Sequence, residues 1–194
     1  MIPSKTSFFN QVLNRLGETR ISDPESNVEP KAIVLRELYQ QSIDEVLREY
    51  PWSCAAAAST MAQPVMDNFT PYDYVYKLPL DCLRVGNLID IAQGTYEKIE
   101  DEYRIMGKFL YTDYEEAGVS YTKQLTAPED LDSHVAEACV LHLAARAAIS
   151  ITDDKSLEVS LESKYERALH RAKSSDGYER VNREVSNTKW AEIG

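Results

Sequence analysis

The first part of the chain carries apolar residues at helical spacing in two segments. One segment lies between Ser4 or Thr6, either of which can cap a helix, and Gly17, which can end one in the left-handed conformation. The other runs from Pro30 to Pro51 and follows Ser26-Asn27-Val28-Glu29, which has the spacing of a capping box. Both segments are predicted to be amphipathic helices. Their apolar residues are Phe8, Phe9, Val12, Leu13 and Leu16 in the first, and Ala32, Leu35, Tyr39, Ile43, Val46 and Tyr50 in the second.

The pattern changes at Pro51, and as far as about Thr126 it is typical of short strands. The centre of this region is Leu78-Pro79-Leu80-Asp81, where proline disfavours helix and the aspartate can close a turn on nearby backbone. A hairpin is predicted around Gly107 and a strand from Val119 to Leu125. Ala55–Ala58 fits either a helix or a strand, since alanine favours helix but the flanking prolines leave little room for one.

Helical patterns return in the last third of the chain. Thr126-Ala127-Pro128-Glu129 again has capping-box spacing, and the run from about Ser133 to Ile151 is apolar on almost every side. Such a helix is typical of a bundle centre or a subunit contact, with one narrow polar stripe in solvent. A last helix is predicted from Asp153 or Asp154 to Gly177. The polar stripe is Glu137, His142, Arg146 and Ser150, and the apolar face of the last helix is Leu157, Leu161, Tyr165, Leu169 and Ala172.

These elements predict an α+β, mainly helical fold: a bundle of about four helices with an inserted small antiparallel β-subdomain. Residues 1–51 and 127–177 would form the bundle, and residues 52–126 the β-subdomain. Residues 178–194 are polar with too few apolar positions for a core, and they are predicted to form a C-terminal attachment tail.

Composition narrows the classes of function. The 194 residues are 43% hydrophobic and 27% charged, as in ordinary globular proteins, but 21 basic residues face 32 acidic ones, for a net charge of −11. Tight binding to phosphate backbones is not expected, because its affinity comes mainly from Lys and Arg. Cys54, Cys82 and Cys139 are widely spaced, which indicates a reducing compartment rather than a disulfide framework. With no secretory leader and no membrane-spanning window in the sequence, we expect synthesis in a cytoplasm.

Cys139 and His142 are the nearest approach to a catalytic or metal-binding pair. They lie three residues apart on one predicted helix and could supply half of a zinc site. The alternative is a buried thiol beside a histidine of the polar stripe, and we favour it because the sequence places no second pair of ligands. The seven glycines form no phosphate-binding pattern. We therefore expect no catalytic residue, no metal site, no cofactor and no enzymatic activity.

Aromatic residues are the candidate contact residues. Twelve tyrosines and two tryptophans stand against four phenylalanines, and amphipathic aromatics suit protein interfaces. In the β region the candidates are Tyr72, Tyr74, Tyr76 and Tyr111. The alternative is that these tyrosines simply lie on a half-buried strand and contact no partner. In the C-terminal tail they are Tyr178, Val181, Val185, Trp190 and Ile193, with folding back onto the bundle as the alternative.

Seven short segments, in this order and spacing, resemble the tail tubular protein A family, the head-to-tail adaptors of short-tailed bacteriophages. They are Val12–Glu18, Leu47 with Tyr50-Pro51-Trp52, Tyr76–Val85, Gly107–Thr112, Val119-Ser120-Tyr121, Pro128–Leu131 and Ile151–Asp154. The chain departs from the family pattern at Ser53-Cys54, where an aromatic-alanine continuation is expected, and after Gly177.

The resemblance implies a ring of twelve copies beneath the portal, which joins the DNA-filled head to the tail nozzle. The implied partners are further copies of the chain, the portal protein and the nozzle protein, and the implied location is the head–tail junction of the virion, after assembly in the host cytoplasm. On this hypothesis the C-terminal residues bind the portal, and the β-region tyrosines contact the tail side or a neighbouring subunit. An acidic channel would repel phosphates, so that DNA passes without sequence-specific binding.

Two alternatives remain open. A neck or head-completion protein of a long-tailed phage would share the helices and the ring, but has less reason for a β insertion of this size. A small cytoplasmic hydrolase with Cys139 or Cys82 as nucleophile is the alternative from a different class of protein.

Overall fold

The computed structural model describes residues 4–26, 28–61, 70–91, 97–99 and 103–191. The chain divides into two compact units. Met1–Cys54 together with Leu125–Gly194 form a helical unit, and Ala55–Gln124 form a β unit. The described residues contain four α-helices and two small antiparallel sheets, so the predicted α+β, mainly helical fold is confirmed.

Helix α1 (Lys5–Leu16) begins and ends as predicted. The side chain of Ser4 accepts a hydrogen bond from the backbone N–H of Ser7 at 3.1 Å. Gly17 is left-handed, with φ 76°, and the N–H of Glu18 reaches the carbonyl of Leu13 at 2.9 Å. The first bond caps the N-terminus of the helix, and the second is the bond of a Schellman motif at its C-terminus. All five predicted apolar residues of α1 are buried.

Helix α2 (Pro30–Arg48) starts at the predicted proline, but the prediction of a capping box was wrong. The N-cap residue is Glu29, whose side chain makes no capping hydrogen bond. Ser26 lies three residues before that position, and its hydroxyl donates instead to Asp23 Oδ2 at 2.6 Å. A short polar side chain thus closes a local turn rather than the helix end. Of the predicted apolar face, only Tyr50 is not buried.

Helix α3 (Ser133–Thr152) is the most buried element of the helical unit, and it packs against α1, α2 and the fourth helix. Its N-cap is Asp132, which accepts a hydrogen bond from the N–H of His134 at 2.9 Å. The capping box predicted at Thr126 was therefore wrong, because Pro128–Asp130 forms a separate short 3₁₀ turn. The central position predicted from the apolar pattern is confirmed by the buried side chains Val135, Ala136, Ala138, Cys139, Val140, Leu141, Leu143, Ala144, Ala145, Ala147 and Ala148.

Helix α4 (Lys155–Ala191) follows α3 after two aspartates with different roles. Asp153 is left-handed, with φ 53°, and ends α3 through a bond from its N–H to the carbonyl of Ile149. The carboxylate of Asp154 accepts the N–H groups of Ser156 at 2.8 Å and Leu157 at 3.1 Å, as an N-cap does.

The predicted end of this helix at Gly177 was wrong, because α4 continues to Ala191. One glycine costs a helix about 1 kcal/mol relative to alanine, which does not end it unless the backbone turns left-handed. Gly177 has no positive φ, and neighbouring contacts hold the helix there: Lys173 Nζ lies 3.4 Å from a Glu49 carboxylate oxygen, and Asp176 Oδ1 accepts the N–H of Ser53 at 2.8 Å. The segment predicted to be a tail is thus helical as far as residue 191.

The β unit contains two antiparallel sheets among its described residues. The ambiguous alanine segment is a strand, paired from Ala56 opposite Thr122 to Thr60 opposite Gly118, so long-range pairing overrides the helix propensity of alanine. The first sheet has the order β1 (Ala56–Thr60), β7 (Ala117–Lys123), β3 (Cys82–Asp90), β4 (Glu97–Ile99), and the second has the order β2 (Tyr74–Lys77), β6 (Phe109–Thr112), β5 (Arg104–Met106).

Both predicted turns of the β unit are present. The N–H of Cys82 bonds to the carbonyl of Pro79 at 3.0 Å, which closes the turn between β2 and β3. Gly107, with φ 62°, occupies the first of two loop positions between β5 and β6, where positive φ suits a tight hairpin. The carboxylate of Asp81 differs from the prediction, because it accepts a hydrogen bond from Tyr121 Oη at 3.2 Å.

Candidate functional site

A cleft lined mainly by basic side chains lies between α1, α3 and α4 in the helical unit. Its volume is about 590 Å³. We refer to it as the basic cleft; it is lined by Arg15 from α1, Glu137 and Leu141 from α3, and Lys164, Arg167, His170 and Arg171 from α4.

Only part of the positive charge in the basic cleft is neutralised by the residues that line it. Arg15 Nη2 lies 2.7 Å from Glu137 Oε1, so these two charges compensate each other. Arg167 and Arg171 are exposed and direct their Nε atoms to backbone carbonyls of α4 one turn earlier, at 3.1 and 3.4 Å. Lys164 is exposed as well. Within the described part of the chain, no carboxylate pairs with these three cations, although the protein as a whole is strongly acidic.

The polar stripe of α3 makes contacts that the sequence did not predict. It was expected to face solvent, but its charged residues bind partners on other helices. Glu137 pairs with α1, while His142 Nε2 and Arg146 Nη1 both lie against Glu45 Oε2 of α2, at 2.8 and 2.7 Å. Gln41 supports this carboxylate with a hydrogen bond of 2.9 Å to its other oxygen. The stripe therefore connects α3 to α1 and α2.

Two opposing effects act on the carboxyl group of Glu45. Partial burial raises its pKa, whereas the hydrogen bond from His142, the charge of Arg146 and the hydrogen bond from Gln41 lower it. The net result is a pKa below the ordinary value, because the carboxylate form is the one that all three partners stabilise.

The thiol of Cys139 lies in the core and is fully buried. Burial raises its pKa strongly, so the thiol stays protonated, whereas a cysteine nucleophile or zinc ligand acts as the thiolate. His142 is held by Glu45 and packs its ring against Tyr165, with ring centroids 4.6 Å apart. Burial also raises the pKa of Cys54. Across the residues that the structure describes, no group of three or more His, Cys, Asp and Glu side chains is placed to hold a metal ion.

By length and composition alone, α3 could cross a membrane, with a mean hydropathy of 1.4 over its most apolar window. Most of that window, 61%, is buried inside the protein, and the core helix of a globular unit has the same composition. The packing of α3 against three other helices accounts for its apolar character.

The four candidate tyrosines of the β unit do not share one environment. Tyr76 is 1% exposed and belongs to the core with Leu88, Leu110 and Ala117, so it is not available to a partner. Its hydroxyl lies within hydrogen-bond distance of the carbonyl oxygens of Tyr114 and Glu115. Three of the candidates are only partly buried, and these remain candidate contacts: Tyr72, Tyr74 and Tyr111.

Of the C-terminal candidates, Tyr178 is on α4 and is 74% exposed. The others lie outside the part of the structure whose side chains are described: Val181, Val185 and Trp190, for which only the helical backbone is given, and Ile193.

Sequence reasoning did not find the basic cleft. One side of the cleft could have been predicted from the local sequence, because Lys164, Arg167 and Arg171 are spaced three and four residues apart and must share one face of a helix. The other side of the cleft depends on the fold, because Arg15 reaches the cleft only when α1 packs on α3.

Comparison of the sequence with protein-family models and with curated proteins gives no match.

Proposed function

We propose that the chain is a structural head-to-tail adaptor of a bacteriophage virion, one subunit of a ring between the portal and the tail nozzle through which DNA passes. The proposal begins with the resemblance to the tail tubular protein A family. The observation that carries it is the architecture: both ends of the chain form one helical unit, and the β unit is inserted between Cys54 and Leu125. That is the arrangement the resemblance implies.

In this proposal, the two ends of the ring bind different partners. The C-terminal part of α4 binds the portal, because it continues a long helix and begins at the highly exposed Tyr178. The partly buried β-unit tyrosines Tyr72, Tyr74 and Tyr111 contact a neighbouring subunit or the nozzle. The net charge of −11 per copy favours a channel that does not retain DNA.

The two alternatives differ from this proposal in specific residues. A neck or head-completion protein of a long-tailed phage shares the helices, but the two-sheet β unit favours the adaptor. A cysteine hydrolase needs a reactive thiol, and burial of Cys139 weighs against that residue. Cys82 is only partly buried, but it lies in the β unit, whereas the three histidines of the chain, His134, His142 and His170, all belong to the helical unit.

Portal binding tests the proposal. The portal protein encoded in the same genome is mixed with the full chain and with a truncation after Gly177, and complexes are separated by sedimentation and imaged by electron microscopy. We expect the full chain to bind one face of the portal ring and the truncated chain to remain unbound with its helical content otherwise retained. The substitution Ile33→Ala, at an exposed α2 position outside the segment and outside α4, is the control and should bind normally.

Failure of the full chain to bind the portal would refute the adaptor function. Normal binding of the truncated chain would leave the function standing but would place the portal contact elsewhere. An unfolded truncated chain would show that the segment after Gly177 belongs to the core of the helical unit.

A further inference from the structure

We propose that the basic cleft of one copy receives a row of acidic residues on α4 of a second copy, so that successive copies join head to tail. We refer to this row as the acidic stripe; it consists of Glu158, Glu162 and Glu166. The inference rests on the proposed ring for its biological meaning, but the contact itself follows from the charges of α4.

The basic and acidic residues of α4 lie on opposite faces of the helix. At 100° per residue, Lys164, Arg167 and Arg171 fall about 140–180° from the centre of the acidic stripe. Leu161, Ala168 and Ala172, which are buried, run between them on the face that packs against α3. The two charged faces therefore flank the packed side of the helix.

The two faces also match in length. The acidic stripe covers nine residues from first to last, about 12 Å along the helix, and the basic residues cover eight, about 10 Å. Each set consists of three charges of one sign, although Lys155 and Lys173 also fall on the acidic side of the helix, where Lys173 is paired with Glu49. An exposed side chain with apolar character accompanies each: Val159, 56% exposed, beside the acidic stripe, and Tyr178, 74% exposed, in line with the basic residues.

Within one copy, this segregation disfavours the helix. Glu162 and Glu166 are like charges four residues apart, and so are Arg167 and Arg171, whereas alternating charges at that spacing would support a helix. In the described part of the chain, the acidic stripe has no ion-pair partner. A second copy supplies to each face the opposite charge that the first copy lacks.

A contact between two different faces of the same molecule is heterologous, and it repeats from copy to copy until a ring closes or a filament forms. Duplex DNA is the competing ligand for the basic cleft. The acidic total charge and the presence of Glu137 among only a few cations favour the protein partner, because DNA affinity rises with the number of phosphates neutralised.

Charge reversal tests the contact. One variant, Arg167→Glu/Arg171→Glu, reverses the basic cleft, and another, Glu162→Lys/Glu166→Lys, reverses the acidic stripe. Each variant alone should associate roughly a hundredfold more weakly than the wild type, since like charges then face one another. An equimolar mixture of the two should regain association, because each reversed face finds its complement on the other variant.

Sedimentation velocity over a range of protein concentrations measures the association, and circular dichroism verifies the fold. The control Arg20→Glu/Arg48→Glu changes the net charge by the same amount as the cleft variant at exposed positions outside both faces, and it should associate like the wild type. If the reversed variants do not fold, Arg167→Gln/Arg171→Gln and Glu162→Gln/Glu166→Gln replace them, and each should still weaken association.

The outcomes separate this contact from the proposed function. Rings formed by the wild type and by each variant alone would overturn the contact and leave the ring proposal standing. Association lost on reversal and regained in the mixture, but with open chains in electron micrographs, would support the contact and contradict the ring. A wild type that stays monomeric at every concentration would overturn the contact, while portal binding still decides the adaptor function. Retention of duplex DNA that only the cleft variant loses, with association unchanged, would make the cleft a phosphate site and overturn the inference.

Discussion

Substitution of Gly177 by alanine should stabilise the helical unit, because α4 runs through this position with helical backbone. Alanine is favoured over glycine inside a helix by about 1 kcal/mol. A Cβ atom added at Gly177 would have Tyr50 Oη as its nearest neighbour, at 3.7 Å, which is ordinary van der Waals contact and carries no steric penalty. The expected gain is therefore about 0.5–1 kcal/mol.

The matched control is the same substitution at Gly17, which ends α1 with φ 76°. Space is also open there, since a Cβ atom would meet nothing within 4 Å, so only the backbone conformation differs. The left-handed conformation costs an L-residue about 1–2 kcal/mol, and Gly17→Ala should lose about that much stability. The two substitutions thus change the same atoms and should have opposite signs.

Trp52 provides the signal for this comparison. Its ring is fully buried in the helical unit, and its Nε1 donates to the carbonyl of Val46 at 2.9 Å. In a Trp190→Phe background it is the only tryptophan, so urea unfolding followed by fluorescence reports this unit. Loss of stability in Gly177→Ala, comparable to the loss in Gly17→Ala, would mean that Gly177 is left-handed and ends the helix, and it would refute the continuous α4.

Three further predictions concern the two cores and the polar stripe. Leu143→Ala should cost the helical unit about 3–5 kcal/mol in urea unfolding, because Leu143 is fully buried in α3. The control Ile149→Ala, at a position 45% exposed on the same helix, should cost less than about 1 kcal/mol, and equal costs would mean that α3 is misplaced. Tyr76→Phe should destabilise the β unit by about 0.5–1.5 kcal/mol, measured by hydrogen exchange of its strands, because the partly buried carbonyl groups of Tyr114 and Glu115 lose their donor; unchanged exchange would contradict these bonds. Glu45→Gln should be less stable than the wild type at neutral pH. Because the pKa of Glu45 is lowered in the folded state, the difference in unfolding free energy should persist above the ordinary carboxyl pKa of 4.5 and vanish as the pH falls through the folded-state pKa. A difference independent of pH would contradict the role of the carboxylate.

The elements that could be predicted from sequence are those with local causes. α1 follows from Ser4 and Gly17, which act on backbone groups within a few residues, and the β5–β6 hairpin follows from Gly107 in the same way. The central position of α3 follows from composition, since a helix with almost no polar side must be surrounded by other helices.

The features that could not be predicted depend on competition between alternative hydrogen-bond partners or on contacts with distant parts of the chain. Ser26 has the right spacing for a capping box, but Asp23 binds its hydroxyl. Gly177 resembles a helix stop, but contacts with the segment after α2 hold α4 in place on its N-terminal side. Tyr76 alternates with Tyr72 and Tyr74 along the sequence, a pattern that does not distinguish it from an exposed aromatic residue. Its burial depends on contacts with a second sheet, and the sequence alone does not predict where that sheet lies.

Native mass spectrometry of the purified full-length chain, combined with negative-stain electron microscopy, tests the central claim most directly. The adaptor proposal predicts closed rings with an open centre, whose mass is twelve times that of the 22.0 kDa chain. A chain that forms no ring even when the portal protein is present, or oligomers that have no central channel, would contradict it.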